Sequence, residues 1–129
     1  MSLPKKSIED LRKTNPTKLI DKQHLFAVLS TQLIWRAMRL DYMVAFGEAF
    51  RTPEQAELNA QSGAGIKNSL HCQRLAIDLI LRTSTGVYLK NTPDYEPLGI
   101  YWEKLHPLCC WGGRFSDGNH FSITHGGRK

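Results

Sequence analysis

Two histidines and two aspartates mark out the chemistry open to this chain of 129 residues: His71, Asp78, Asp117 and His120. His71, Asp78 and His120 are the residue types of a catalytic zinc site, which takes three nitrogen or oxygen donors from the protein and keeps a fourth position open. Zinc in such a site lowers the pKa of water to about 7 and polarises a carbonyl under attack. Peptide hydrolysis also needs a proton carrier. Asp117 stands three residues before His120 in the turn-forming stretch Asp117-Gly118-Asn119 and is placed to supply a carboxylate at the same rim.

Residue types alone leave other readings open. Asp78, in an apolar run, could be a buried carboxylate answered by Arg51 or Arg74. His120 could be a packed histidine, and Asp117 only a turn residue, because Asp-Gly is a common turn pair. Arg51 could end a strand or hold a carboxylate structurally. The stretch "SLHCQRLAID" (69–78) adds a geometric condition. His71 and Asp78 are seven residues apart, and in one regular strand an odd separation sends side chains to opposite faces. Both reach one metal only if the chain turns or bulges at His71 and Asp78 lies in the strand that follows. An unbroken strand over 69–78 would exclude the site.

The elements that must position these residues can be read from periodicity. Ser7 with Asp10 resembles a capping box opening a short helix through Lys13. From about Asp21, Leu25, Val28, Leu29, Leu33, Ile34, Ala37, Met38 and Leu40 recur at helical spacing and predict one buried face, with Lys22, Gln32, Arg36 and Arg39 on the exposed one. His24 reads as a surface residue and Trp35 as packing. "YMVAFGEAF" predicts a strand ending at Arg51. Thr52 is a helix N-cap with Pro53 at the first helical position, and that helix should stop at the "SGAGIKNS" loop. "LAIDLIL" is a strand, "TSTGVYLKN" a turn with a short strand after it, and "LGIYWEKLHPLCC" a short helix limited by Pro107. "WGGRFSDGN" is a loop, and "HFSIT" a last strand with His120, Ser122 and Thr124 on one face. Helices early and strands late, without regular alternation, favour an α+β fold with a mostly antiparallel sheet.

Composition bounds the rest. Apolar residues make up 41% and charged residues 22%, as in ordinary soluble domains, and the length suits one domain. Seventeen Lys and Arg against twelve Asp and Glu give a net charge of +5, which favours anionic partners without choosing among them. The cations are scattered, so a nucleic-acid-binding module is a distant alternative. No signal peptide and no membrane-spanning stretch is evident, and a soluble chain made in the cytoplasm is expected. Three cysteines, Cys72, Cys109 and Cys110, argue against a disulfide framework and read as structural thiols. His106 and His125 match no motif and are expected at the surface, and Trp102, Glu103 and Trp111 read as packing and helix residues, with Trp111 able to line a cleft.

The order and neighbours of the chemical residues carry a more specific signal. "SLHCQRLAID" resembles the Ser-x-His-x(6)-Asp segment of the zinc peptidases of family M15, which comprise D-alanyl-D-alanine carboxypeptidases and phage endolysins. "WGGRFSDGNHF" resembles the closing segment of the phage L-alanyl-D-glutamate peptidases, and "AFRTPEQ" the aromatic-arginine segment that precedes the first motif. All three occur in family order between about Phe46 and Ile123. By position, the resemblance implies His71, Asp78 and His120 as Zn2+ ligands and Asp117 as the catalytic acid/base. It implies Arg51 at the substrate or oxyanion and Ser69 as a supporting residue. The implied fold is Hedgehog/D,D-peptidase-like: one domain over 1–129, motif-bearing core about 42–125, with N-terminal helices packed on a small antiparallel sheet that carries the zinc.

The implied activity is cleavage of the peptidoglycan peptide stem, most simply at L-alanyl-D-glutamate. The alternatives are D,D- or L,D-carboxypeptidase action, or a non-catalytic wall-binding or virion domain of the same fold. The expected enzyme is monomeric, inserts in no membrane, binds no nucleic acid, and waits in the cytoplasm until a holin gives it access to the wall. Two departures stand out. Arg74 occupies a position where the family often has glycine, and could narrow the cleft or alter substrate choice. Ala45-Phe46 replaces part of the usual lead-in.

Overall fold

The computed structural model describes residues 8–66 and 68–129. Its helices are α1 (Ile8–Lys13), α2 (Leu19–Arg39), α3 (Pro53–Gln61) and α4 (Glu96–Leu105), and its strands are β1 (Met43–Phe46), β2 (Ala76–Arg82), β3 (Cys109–Trp111) and β4 (His120–Ile123). The capping role of Ser7 lies outside the described residues. The strands form one sheet in the order β1-β2-β4-β3, with every neighbouring pair antiparallel. The fold is therefore α+β, with helices packed on a small antiparallel sheet.

α2 forms because its apolar residues recur on one stripe, and Leu25, Leu29, Leu33 and Ala37 are buried against the sheet and α4. The stripe differs from the predicted one at its margins. Lys22, expected on the exposed face, is buried, and its Nζ donates to the Thr124 carbonyl at 3.1 Å. Its ammonium supplies a donor to a carbonyl just past the end of β4. Gln32 is half-buried. Met38 and Leu40 are exposed where the helix ends at Arg39 and the chain reverses at Asp41, whose φ is 63°, and Trp35 is exposed on the face away from Leu33 and Ala37.

The strand predicted from Tyr42 to Arg51 is shorter. It leaves regular pairing after Phe46, although Gly47 N–H still donates to the Asp78 carbonyl (2.8 Å) and Asp78 N–H to that of Glu48 (2.9 Å). The short strand expected after the 83–87 turn is a single bridge between Arg82 and Tyr88. β3 was not anticipated. Pro107 ends α4, and three residues are too few for strand alternation to show in sequence.

Alternation within β2 and β4 decides which residues meet. Leu79, Leu81, Phe121 and Ile123 are fully buried in the core, and Asp78 and His120 share the opposite face. Trp102 of α4 joins the layers. It meets Phe26 and Phe121 edge-on at ring-centroid distances of 5.8 and 6.2 Å, and its Nε1 donates to the carbonyls of Cys110 and Ser122. Trp102→Ala is expected to cost about 3–5 kcal/mol, read as a lower midpoint in urea unfolding, since it opens a cavity and strands two carbonyls.

Candidate metal centre

A turn, not a strand, delivers His71. Ser69 Oγ accepts the His71 N–H at 3.1 Å and caps the single 3-10 turn Leu70–Gln73. The turn closes at Arg74, in the left-handed conformation with φ 58°, whose N–H returns to the His71 carbonyl. β2 starts two residues later, so a bend separates His71 from Asp78 and the sequence condition for one shared site is met.

The same turn explains the departure at Arg74. A left-handed residue with a Cβ costs roughly 1–2 kcal/mol, which is why glycine suits the position. Here the arginine side chain gains something back by lying 4.1 Å from the Phe50 ring centroid. Arg74 does not line the cleft, so the expectation that it narrows the cleft is not met. Arg74→Gly is expected to be about 1 kcal/mol more stable than Arg74→Ala in chemical unfolding. Both lose the stack, but only alanine keeps a Cβ in the left-handed position.

His120 arrives from β4, where it sits directly opposite Asp78 across the ladder, so the two side chains share one face. The preceding turn carries Asp117, whose Oδ2 lies 3.9 Å from His120 Nδ1. That turn is fastened on both sides. The Trp111 indole donates to the Gly118 carbonyl at 2.6 Å, and Gly118 N–H donates to Thr92 Oγ1 at 3.2 Å. Trp111 is thus a buried brace and does not line the cleft. At Gly112 a Cβ would lie 2.2 Å from the Asp117 carbonyl oxygen and 2.7 Å from His120 Cβ, so only glycine allows this approach.

At the centre, Asp78 Oδ1 lies 3.3 Å from His71 Nε2 and 3.4 Å from His120 Nδ1. Neither contact has hydrogen-bond geometry, and Oδ1 is buried without a hydrogen-bond partner. One ligand atom from each of the three residues lies within 4.8 Å of the others. Two imidazoles and one carboxylate, converging without bonding to one another, fit a divalent transition metal. Burial pushes the Asp78 carboxyl up, but His120 and His71 together outweigh it and hold it at about 2, so it is ionised at neutral pH. Neither Arg51 nor Arg74 answers Asp78. Arg51 pairs with Glu48, and Arg74 stacks on Phe50.

Asp117 is half-exposed at the rim. Burial raises its carboxyl, His120 draws it down, Asp78 raises it again, and the balance lies above the ordinary value. A raised carboxyl suits a group that takes and returns a proton. Asp117, Arg51, Ser69 and the three central residues all line one cleft of about 470 Å³, with Ile66, Phe115 and Lys129 at its edge.

Glu48 was not anticipated. Its Oε1 accepts from Arg51 Nε at 2.8 Å and also from Nη2, and lies 3.8 Å from His71 Nδ1. The available signal was a glutamate three residues before the motif arginine. His106, expected at the surface, is buried: its Nδ1 accepts the Leu108 N–H, and its Nε2 bonds the Thr14 carbonyl. His125 is half-buried.

The fold is similar to the crystal structure of the Serratia marcescens L-Ala D-Glu endopeptidase ChiX, with a TM-score of 0.61 and 19% sequence identity over 92% of this chain and 96% of that one. No protein-family model and no curated protein matches the chain.

Proposed function

We propose that this chain is a zinc-dependent peptidoglycan hydrolase that cuts the L-alanyl-D-glutamate bond of the peptide stem. The observation that carries the reading is the convergence of His71, Asp78 and His120 on the floor of a cleft whose rim holds Asp117 and Arg51. The similar fold of an enzyme titled L-Ala D-Glu endopeptidase supports the choice of bond.

In this reading His71, Asp78 and His120 hold zinc. The bound ion supplies Lewis-acid polarisation and makes water easier to deprotonate near neutral pH. Asp117 takes the proton from the attacking water and returns it to the departing amine, which its raised carboxyl favours. Arg51, at the cleft wall, sets a fixed positive charge toward a substrate carboxylate or the oxyanion. Ser69 holds the turn that presents His71.

The net charge of +5 suits an anionic wall. The proposal extends to a monomeric phage or prophage endolysin that a holin admits to the wall. Among the described residues, no helix is long and apolar enough to cross a membrane. The test is mass spectrometry of purified peptidoglycan digested by the zinc-loaded protein. Paired fragments ending in L-alanine and beginning with D-glutamate are expected. Release of terminal D-alanine alone would replace this reading with a carboxypeptidase, and binding without cleavage with a wall-binding domain.

A further inference from the structure

We infer that Glu48 is a positioning residue for this centre: held by Arg51, its carboxylate stands beside His71 Nδ1 and accepts the N–H there when Nε2 holds the metal. The inference rests on the metal-centre reading and adds to it a residue that no motif names.

The two ring nitrogens of His71 have different surroundings. Nε2 faces Asp78 Oδ1 at 3.3 Å, inside the convergent set. Nδ1 points away, buried without a hydrogen bond, and Glu48 Oε1 at 3.8 Å is its carboxylate neighbour. A neutral imidazole that binds a metal through Nε2 carries its one proton on Nδ1, and an ionised carboxylate only accepts, so Glu48 is placed to take that N–H. A buried N–H is costly without an acceptor, and the Glu48 carboxylate stands on that side of the ring. Outer carboxylates of this kind fix ring orientation and make the ligand more basic.

Glu48 is itself held in place. The oxygen nearest Nδ1 is the one that accepts from both Nε and Nη2 of Arg51. The main chain of the same segment is tied to both ligands: Asp78 N–H donates to the Glu48 carbonyl at 2.9 Å, and Arg51 N–H donates to the His71 carbonyl at 3.2 Å. Gly47 also abuts Asp78, where an added Cβ would meet the Asp78 carbonyl oxygen at 3.0 Å. The segment 47–51 thus frames two ligands from outside, and Arg51 acts on the metal through Glu48 as well as on substrate through its charge.

The experiment compares wild type with Glu48→Ala and Glu48→Gln. Proton NMR of the zinc-loaded proteins reads the position and solvent exchange of the His71 Nδ1–H. Competition with a chromophoric chelator reads zinc affinity. The wild type is expected to show a downfield, slowly exchanging Nδ1–H. In Glu48→Ala that proton moves upfield and exchanges faster, and zinc binds about 10- to 100-fold more weakly. Glu48→Gln keeps a neutral acceptor and lies between, and it stands in if the alanine variant fails to fold. An unchanged Nδ1–H signal, or zinc affinity within about twofold of wild type in both variants, overturns the role. Absence of zinc binding by the wild type would instead overturn the metal-centre reading on which the role rests.

Discussion

Replacing Asp117 with alanine is expected to slow release of stem fragments by about 10²- to 10⁴-fold, the usual contribution of a positioned acid/base, while zinc content and the unfolding midpoint stay near those of wild type. The separation of effects follows from what the side chain touches. The turn is held by main-chain bonds that alanine retains: Asp117 N–H to the Gly112 carbonyl at 2.9 Å, and His120 N–H to the Asp117 carbonyl at 3.1 Å. The carboxylate itself is half-exposed, and its Oδ2 stands 3.9 Å from His120 Nδ1, outside the convergent ligand set. Single-turnover digestion followed by mass spectrometry, with metal analysis on the same samples, makes the measurement. Loss of both zinc and activity would make Asp117 a ligand, and activity within about tenfold of wild type would reduce it to a turn residue.

What could be read from sequence divides along a physical line. The candidate ligands were legible because the residues that single them out lie within two short stretches, 69–78 and 111–121. An odd spacing between His71 and Asp78 demands a bend, and the structure supplies it at Arg74, the residue whose presence in the motif was hardest to explain. Thr52 at the start of α3 was equally local, since its Oγ1 accepts the Gln55 N–H three residues on. Tertiary partners were not legible. Lys22 is buried because a carbonyl 102 residues away needs its ammonium, and His106 is buried because the Thr14 carbonyl reaches it from the N-terminal segment. β3 is three residues long and takes its identity from pairing with β4. Glu48 belongs with these. Its place beside His71 depends on the register of β1 against β2, which brings Phe46 opposite Leu79 and carries the following segment past Asp78.

Zinc is expected to raise the thermal midpoint of the wild-type protein by roughly 12–20 °C when present at about a thousandfold over its dissociation constant. Binding to the folded state alone stabilises it by about 4 kcal/mol under that condition, and a chain of this size shifts by roughly 3–5 °C per kcal/mol. The sign follows from the centre itself. The fold already holds Asp78 ionised between two imidazoles, a preformed donor set for a cation. The unfolded chain has no counterpart, because His71 comes from a turn, Asp78 from β2 and His120 from β4, and only the antiparallel register brings them together. A chelator should reverse the shift, read by near-ultraviolet circular dichroism during heating. His24, His106 and His125 could bind zinc loosely elsewhere, so His120→Ala is the deciding control. It removes one of the three donors while leaving those histidines intact, and the zinc-dependent shift should fall to within a few degrees of zero. A shift that survives in His120→Ala would place the bound metal outside the cleft and break the link between these three residues and hydrolysis.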